Sequence, residues 1–128
     1  MKGFKDESTN KKKGLLKNKI ITEAFYLHSS GNLIEAGKKY KYFLDQGFTD
    51  PRVFSNYAII LKENSRINEA IELLNESIKR YPSSSDSYSV LSDILRNQGK
   101  LNESRISLEK AVSLNPNEQN YHFNLGII

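Results

Sequence analysis

The sequence predicts an all-α fold built as a stack of antiparallel helix pairs. Two observations lead there. The stretch from Arg52 to Asn117 holds one pattern written twice at a spacing of 34 residues. Pro82 returns as Pro116, Asn-Glu-Ala at 68–70 returns as Asn-Glu-Ser at 102–104, and Phe54, Leu61, Ile67 and Leu74 return as Tyr88, Leu95, Leu101 and Leu108. A fixed period of this length is the mark of a helical repeat array. The second observation is the punctuation: glycine, proline and short polar runs separate apolar residues that recur at helical spacing.

Taken in order, residues 1–16 read as a disordered tail. They are polar, interrupted by Gly3 and Gly14, and offer little apolar surface to offset the entropy of ordering. Lys11-Lys12-Lys13 could touch nucleic acid or anionic lipid, but a solubilising tail is the simpler reading. The first helix is expected from about Lys17 to Ser29, with Ile20, Ala24 and Leu27 at i, i+4 and i+7 on one face. Gly31 suits a left-handed cap behind it. A second helix is expected over 33–46, with Leu33, Ala36, Tyr40 and Phe43 inward and Gly47 ending it. Asp50 and Pro51 suit the N-cap and first turn of the third helix, which runs to Glu63 with Phe54, Tyr57, Ala58 and Leu61 inward. The fourth spans 67–80 and buries Ile67, Ala70, Ile71, Leu74 and Ile78 before Pro82. Ser83 to Asp86 forms the loop and cap of the fifth helix, whose inner residues are Tyr88, Leu91, Ile94 and Leu95. The sixth spans 101–114, with Leu101, Ser104, Ile106, Leu108, Ala111 and Val112 inward. Pro116 stops it, and one more helix starts near Glu118.

Composition narrows the function. The 128 residues carry a net charge of +4, and residues 1–16 account for +3 of it, with five lysines against Asp6 and Glu7. The basic pI therefore describes the tail rather than the folded surface. No cysteine is present, so disulfides and thiolate metal sites are excluded. The longest apolar run, Ala58 to Leu61, is far short of the roughly 18–20 residues a membrane span needs. No secretory signal is visible. These features fit a cytoplasmic protein, and the abundance of Lys, Asn and Ile fits a bacterial one.

With these residues in view, the chain resembles the tetratricopeptide repeat family over about residues 17–128. The second copy reads Phe54-x-x-Tyr57-Ala58-x-x-Leu61, then Ala70-x-x-x-Leu74, then Pro82. The third reads Tyr88-x-x-Leu91-Ser92-x-x-Leu95, then Ser104-x-x-x-Leu108, then Pro116. The fourth supplies His122-x-x-Leu125-Gly126. The first is the most divergent, with Phe48 in place of the proline and Phe43 at a position that is small elsewhere. Small residues (Ala58, Ser92, Gly126, Ala70, Ser104) are expected where two helices cross closely, since a larger side chain there would strain the core. The resemblance implies a right-handed α-solenoid: a disordered tail over 1–16, then repeats at 17–50, 51–84 and 85–118 and a partial one at 119–128.

The resemblance also implies a function. In such arrays the first helix of each repeat lines a concave groove that holds a protein or peptide segment. The matching positions are Asn18, Ile21, Phe25 and His28; Arg52, Ser55, Asn56, Ile59 and Lys62; Asp86, Ser89, Asp93 and Arg96; and Asn120, Phe123, Asn124 and Ile127. Asparagine amides can both donate to and accept from a peptide backbone. Each residue has a plainer alternative. Asn56 and Asn124 suit helix packing, Phe25 and Ile59 suit contacts with neighbouring repeats, and the mixed charges suit a solvated face. Chaperone-binding members of the family hold a C-terminal carboxylate with a basic clamp. Here Ile21, Phe25, Asn56, Asp86 and Val90 stand in those places, and only Asn56 agrees, so that clamp is not expected.

No catalytic constellation, cofactor or metal site is expected. His28 and His122 lack partners at metal or triad spacing, and the glycines form no phosphate loop. Asp86 and Asp93 in the groove argue against nucleic acid, and no membrane partner is expected. The sequence stops inside an apolar helix where an array normally has a polar cap. Two expectations follow: end-to-end self-association through that helix, or a fragment of a longer protein. In the second case the resemblance would make the chain the recognition arm of a glycosyltransferase, sulfotransferase or methyltransferase.

Overall fold

The computed structural model describes the backbone of residues 2–127 and the side chains of residues 7–126. Seven helices and no strand occupy them: α1 Lys2–Ser29, α2 Leu33–Asp45, α3 Pro51–Glu63, α4 Ile67–Arg80, α5 Ser85–Asn97, α6 Leu101–Leu114 and α7 Gln119–Ile127. They fall into two compact units, Met1–Thr49 and Asp50–Ile128. In the first, α1 packs against α2. In the second, α3 pairs with α4 and α5 with α6. The pairs join because α5 also packs against both α3 and α4, and α7 packs against α6.

The turn inside each pair is one device repeated. Gly31, Ser65 and Gly99 stand 34 residues apart, and all three take positive φ, at 83°, 63° and 78°. The next amide in each copy reaches back five residues, Asn32 to Leu27 at 2.9 Å, Arg66 to Leu61 at 2.8 Å and Lys100 to Leu95 at 2.9 Å. This pairing satisfies carbonyls that a helix end leaves open. Tyr81 and Asn115 precede the two repeat prolines and sit at φ −130° and −141°. A following proline excludes the helical region, so the second helix of each pair must stop there. Asp50 caps α3 by accepting the Arg52 amide at 2.9 Å.

The core follows the period. Ala58, Leu61, Ala70, Leu74, Val90 and Ile94 form one buried cluster across α3, α4 and α5, and Leu108, Ala111 and Tyr121 form another. At the α5–α6 crossing the small residues are serines that clasp each other. The Ser92 hydroxyl donates to the Ser104 carbonyl and the Ser104 hydroxyl to the Ser92 carbonyl, each at 2.8 Å. In the first unit Phe43 is fully buried, and its ring lies 5.5 Å from that of Phe48. The two departures from the repeat pattern thus meet each other, one aromatic packing on the other.

Four expectations are corrected. Residues 2–16 are not a disordered tail, because α1 begins at Lys2. A helix already nucleated over 17–29 extends at one hydrogen bond per residue added, which a composition argument overlooks. Ile106 and Leu101 are exposed at 67% and 51% rather than buried. Ile106 lies away from the Ser104, Leu108 and Ala111 face, and Leu101 sits in the first turn. Gly126 is exposed, and a Cβ there would meet nothing within 4 Å, since no described helix crosses that face of α7.

Candidate functional site

The site residues are positioned by the first helix of each pair, since the second helix takes up the opposite side. In the first unit α1 carries Asn18, Ile21, Phe25 and His28. Asn18 is exposed, while Ile21 is buried at 8% exposure and so is withdrawn from any ligand surface. Phe25 is half-buried, with its ring 6.3 Å from that of Tyr40. The His28 Nδ1 lies 2.8 Å from the hydroxyl of the fully buried Tyr40. These side chains tie α1 to α2 as well as facing outward, because a 13-residue α2 reaches only the C-terminal half of a 28-residue α1.

In the second unit α3 and α5 lie side by side. Asn56, Ile59 and Lys62 on α3 and Ser89, Asp93 and Arg96 on α5 are half-buried, and Arg52 and Asp86 are exposed at the N-terminal ends. Arg52 is gripped at both ends of its guanidinium by Asp50, at 3.0 and 2.9 Å, and this hydrogen bonding raises its pKa. Asp93 and Arg96 pair at 3.5 Å. On α7, Asn120 is exposed, Phe123 is 70% exposed and Asn124 is half-buried, while the Ile127 side chain lies outside the described residues.

Two predicted site residues do something else. Ser55 is buried at 3% exposure. Its hydroxyl donates to the Pro51 carbonyl at 3.1 Å and lies 3.2 Å from that of Ser87. It belongs to a hydroxyl cluster in which Ser87 also meets Ser77 at 2.8 Å and Ser84 at 3.3 Å. Asp86 accepts a 2.6 Å hydrogen bond from the Tyr121 hydroxyl. Burial, and then that hydrogen bond, push the Tyr121 phenol up to about 12. Residues 53, 87 and 121 occupy one repeat position, and the latter two each bond to the preceding pair. Asp86 therefore holds α7 to α5 and is only partly available to a ligand.

A cleft of about 550 Å³ opens at the N-terminal ends of α3 and α5, lined by Pro51, Arg52, Arg80, Tyr81, Pro82, Ser83, Ser84, Ser85 and Asp86. It joins Arg52 and Asp86 to Arg80 and Tyr81, which sequence reasoning left out because they close a second helix. A smaller hollow of about 420 Å³ lies among Ile71, Leu91, Leu95, Gln98 and Ile106. Among the described residues no group of three histidine or carboxylate side chains stands close enough to hold a metal ion. The His122 Nε2 is engaged with the Pro116 carbonyl at 2.7 Å. The arrangement offers the Asn56 amide and Ser89 hydroxyl, the Asp50–Arg52 and Asp93–Arg96 pairs and the half-buried Ile59 along adjacent first helices. That chemistry can hold an extended chain.

The comparisons agree with this geometry. A family model for the tetratricopeptide repeat matches residues 85–118. None of the curated proteins compared matches in sequence. Among solved structures, the first such domain of Spaghetti (RPAP3), bound to an HSP90 peptide, superposes with a TM-score of 0.76 at 19% identity, covering 85% of this chain and 86% of that one. The translocator chaperone SycD of Yersinia enterocolitica gives 0.75 at 19% identity, with 88% and 89% covered. The Sgt2 domain of Aspergillus fumigatus gives 0.76 at 17% identity, with 87% and 75% covered. The chain thus carries a tetratricopeptide repeat match over residues 85–118 and shares the tetratricopeptide repeat fold over most of its length.

Proposed function

We propose that the chain is a protein-interaction scaffold that binds an extended protein segment along the first helices of its second unit. The observation that carries this is the side-by-side row on α3 and α5: Asn56, Ile59 and Lys62 beside Ser89, Asp93 and Arg96, all half-buried and so both held in place and open to a ligand. The support from neighbours is that one similar fold is seen with an HSP90 peptide and another, SycD, with a translocator peptide. The ligand differs from a C-terminal carboxylate held in a basic clamp. Asp86 would repel it, and Ile21 and Val90 are buried at 8% and 7% exposure. An internal segment with both polar and apolar side chains fits the row better.

The test is selection from a random peptide display library, followed by affinity measurement on the enriched sequences. Enriched peptides should bind the wild type, and Asn56→Ala combined with Arg96→Ala should weaken them about 10-fold or more, one or two hydrogen bonds to charged or amide groups being worth that much. The melting temperature should stay within a few degrees. Failure to enrich any sequence, or peptides indifferent to both substitutions, would remove this row as the site.

A further inference from the structure

Among the described residues, the part of α1 from Glu7 to Leu16 packs against no other helix closely enough to be buried. Because α2 spans 13 residues against 28 for α1, the turns before Lys17 run past its end, and every described residue from Glu7 to Leu16 is exposed. From Ser8 to Thr22 there is no acidic residue, while Lys11, Lys12, Lys13, Lys17 and Lys19 supply five positive charges. None of the five takes part in an ion pair among the described residues; Glu23, the acid that follows the run, is bridged to Lys39 at 3.0 Å and also feels the charge of Lys19. The run therefore keeps a net positive charge.

The same stretch is not uniformly polar. Lys12 stands three and four residues before Leu15 and Leu16, Lys19 stands four and three after them, and Tyr26 stands seven after Lys19, so the five fall along one side of the helix. Lys12, Leu15, Lys19 and Tyr26 are turned away from the face that packs on α2, where Ile20 and Ala24 are 3% and 0% exposed, while Leu16, four residues before Ile20, lies at the border between the two. Leu15 is 62% exposed, Leu16 38% and Tyr26 70%. A leucine pair set between lysines, with a tyrosine two turns further on, suits an interface at which charged headgroups lie beside hydrocarbon. No described helix is long and apolar enough to cross a membrane, so the contact would be peripheral.

We propose that this overhanging part of α1 docks on the surface of an anionic lipid bilayer, its lysines against the headgroups and Leu15 and Leu16 seated at the acyl boundary. Nucleic acid would match the lysines but would leave the leucines and Tyr26 with nothing to contact. The bilayer uses both. The reading of Lys11-Lys12-Lys13 as a loose tail hid this, because only a helix places Lys12 and Lys19 on either side of the leucine pair.

The experiment is co-sedimentation of the full chain with vesicles of phosphatidylcholine containing about 30% phosphatidylglycerol, against vesicles of phosphatidylcholine alone. The chain should bind the anionic vesicles at low salt and be released as salt rises. Replacing Lys11, Lys12 and Lys13 with glutamine should weaken binding about 100-fold, at about fivefold per lysine. Leu15→Ser with Leu16→Ser should weaken it about 10-fold or more. All these side chains are exposed, so the circular dichroism of the variants should match the wild type. Absence of binding, equal binding to neutral vesicles, or binding unchanged in the lysine variant would overturn the proposal. So would tighter binding to a single-stranded RNA homopolymer that the leucine variant leaves unchanged, which would assign the lysines to nucleic acid.

Discussion

The Ser87 hydroxyl is buried among three others, and a proton arrangement must satisfy all of them. One does so: Ser55 donates to the Pro51 carbonyl, Ser87 donates to Ser55, and Ser77 donates to Ser87. Ser77 is fully buried and has no other hydrogen-bond partner among the described residues. Ser87→Ala should therefore cost about 1–3 kcal/mol, since it strands a buried hydroxyl. Adding Ser77→Ala should return part of that loss, because Ala111 shows that alanine fits the equivalent position. Urea denaturation of the single and double variants gives the comparison, and a double variant less stable than Ser87→Ala would contradict the arrangement. Tyr121 adds a pH dependence. Its folded pKa, about 12, lies above the ordinary 10.0, so the folded state holds the proton longer. The contribution should be intact below pH 10 and fade between pH 10 and 12 as the unfolded chain ionises first. Phenolate absorbance should show one tyrosine titrating late, and Tyr121→Phe should remove that step.

At the scale of the element, the turns and the overhang make opposite points about what a sequence shows. The turns were legible because glycine and proline act locally, and a 34-residue period makes each copy check the others. Ser65 is the exception in the series with Gly31 and Gly99, holding φ at 63° where a side chain is disfavoured. Ser65→Gly should stabilise the second unit by about 0.5–1 kcal/mol, measurable as a higher melting temperature, since the left-handed strain exceeds the added entropy of the unfolded glycine. No change, or a loss, would mean that the serine is not strained. The length of α1 was not legible, because helix extension depends on the helix behind it rather than on the tail's own composition. That part of α1 has no tertiary packing, so its amides should exchange with solvent far faster than those of residues 20–29. Equal protection across α1 would show that something covers the overhang. Phe43 was unreadable for another reason. Its fit depends on Phe48, five residues on, which the period itself marked only as a missing proline. Phe43→Ala should cost about 3–5 kcal/mol in the first unit.

For the whole molecule, the period placed the candidate residues on first helices more reliably than it told which of their side chains are open. Spacing put Asn56, Ile59, Lys62, Ser89, Asp93 and Arg96 on first helices, and they are partly open there. It could not separate Ser89 from Ser55 and Ile21, which hold the same repeat position 34 and 68 residues earlier and are buried. The burial of one repeat position is set by the side chain it carries and by what the adjoining helices place against it, neither of which the period contains. It also could not see that Asp86 is engaged by Tyr121, a bond between successive pairs. Arg80 and Tyr81 entered the cleft unannounced because they close a second helix. The central claim is that a ligand lies along the first helices of the second unit. Nuclear magnetic resonance of the isotopically labelled chain, titrated with a display-selected peptide, tests it most directly. The account predicts that amide shifts cluster on α3, α5 and α7 while α4 and α6 stay in place. Shifts concentrated on α4 and α6, around Ile71 and Ile106, would contradict it.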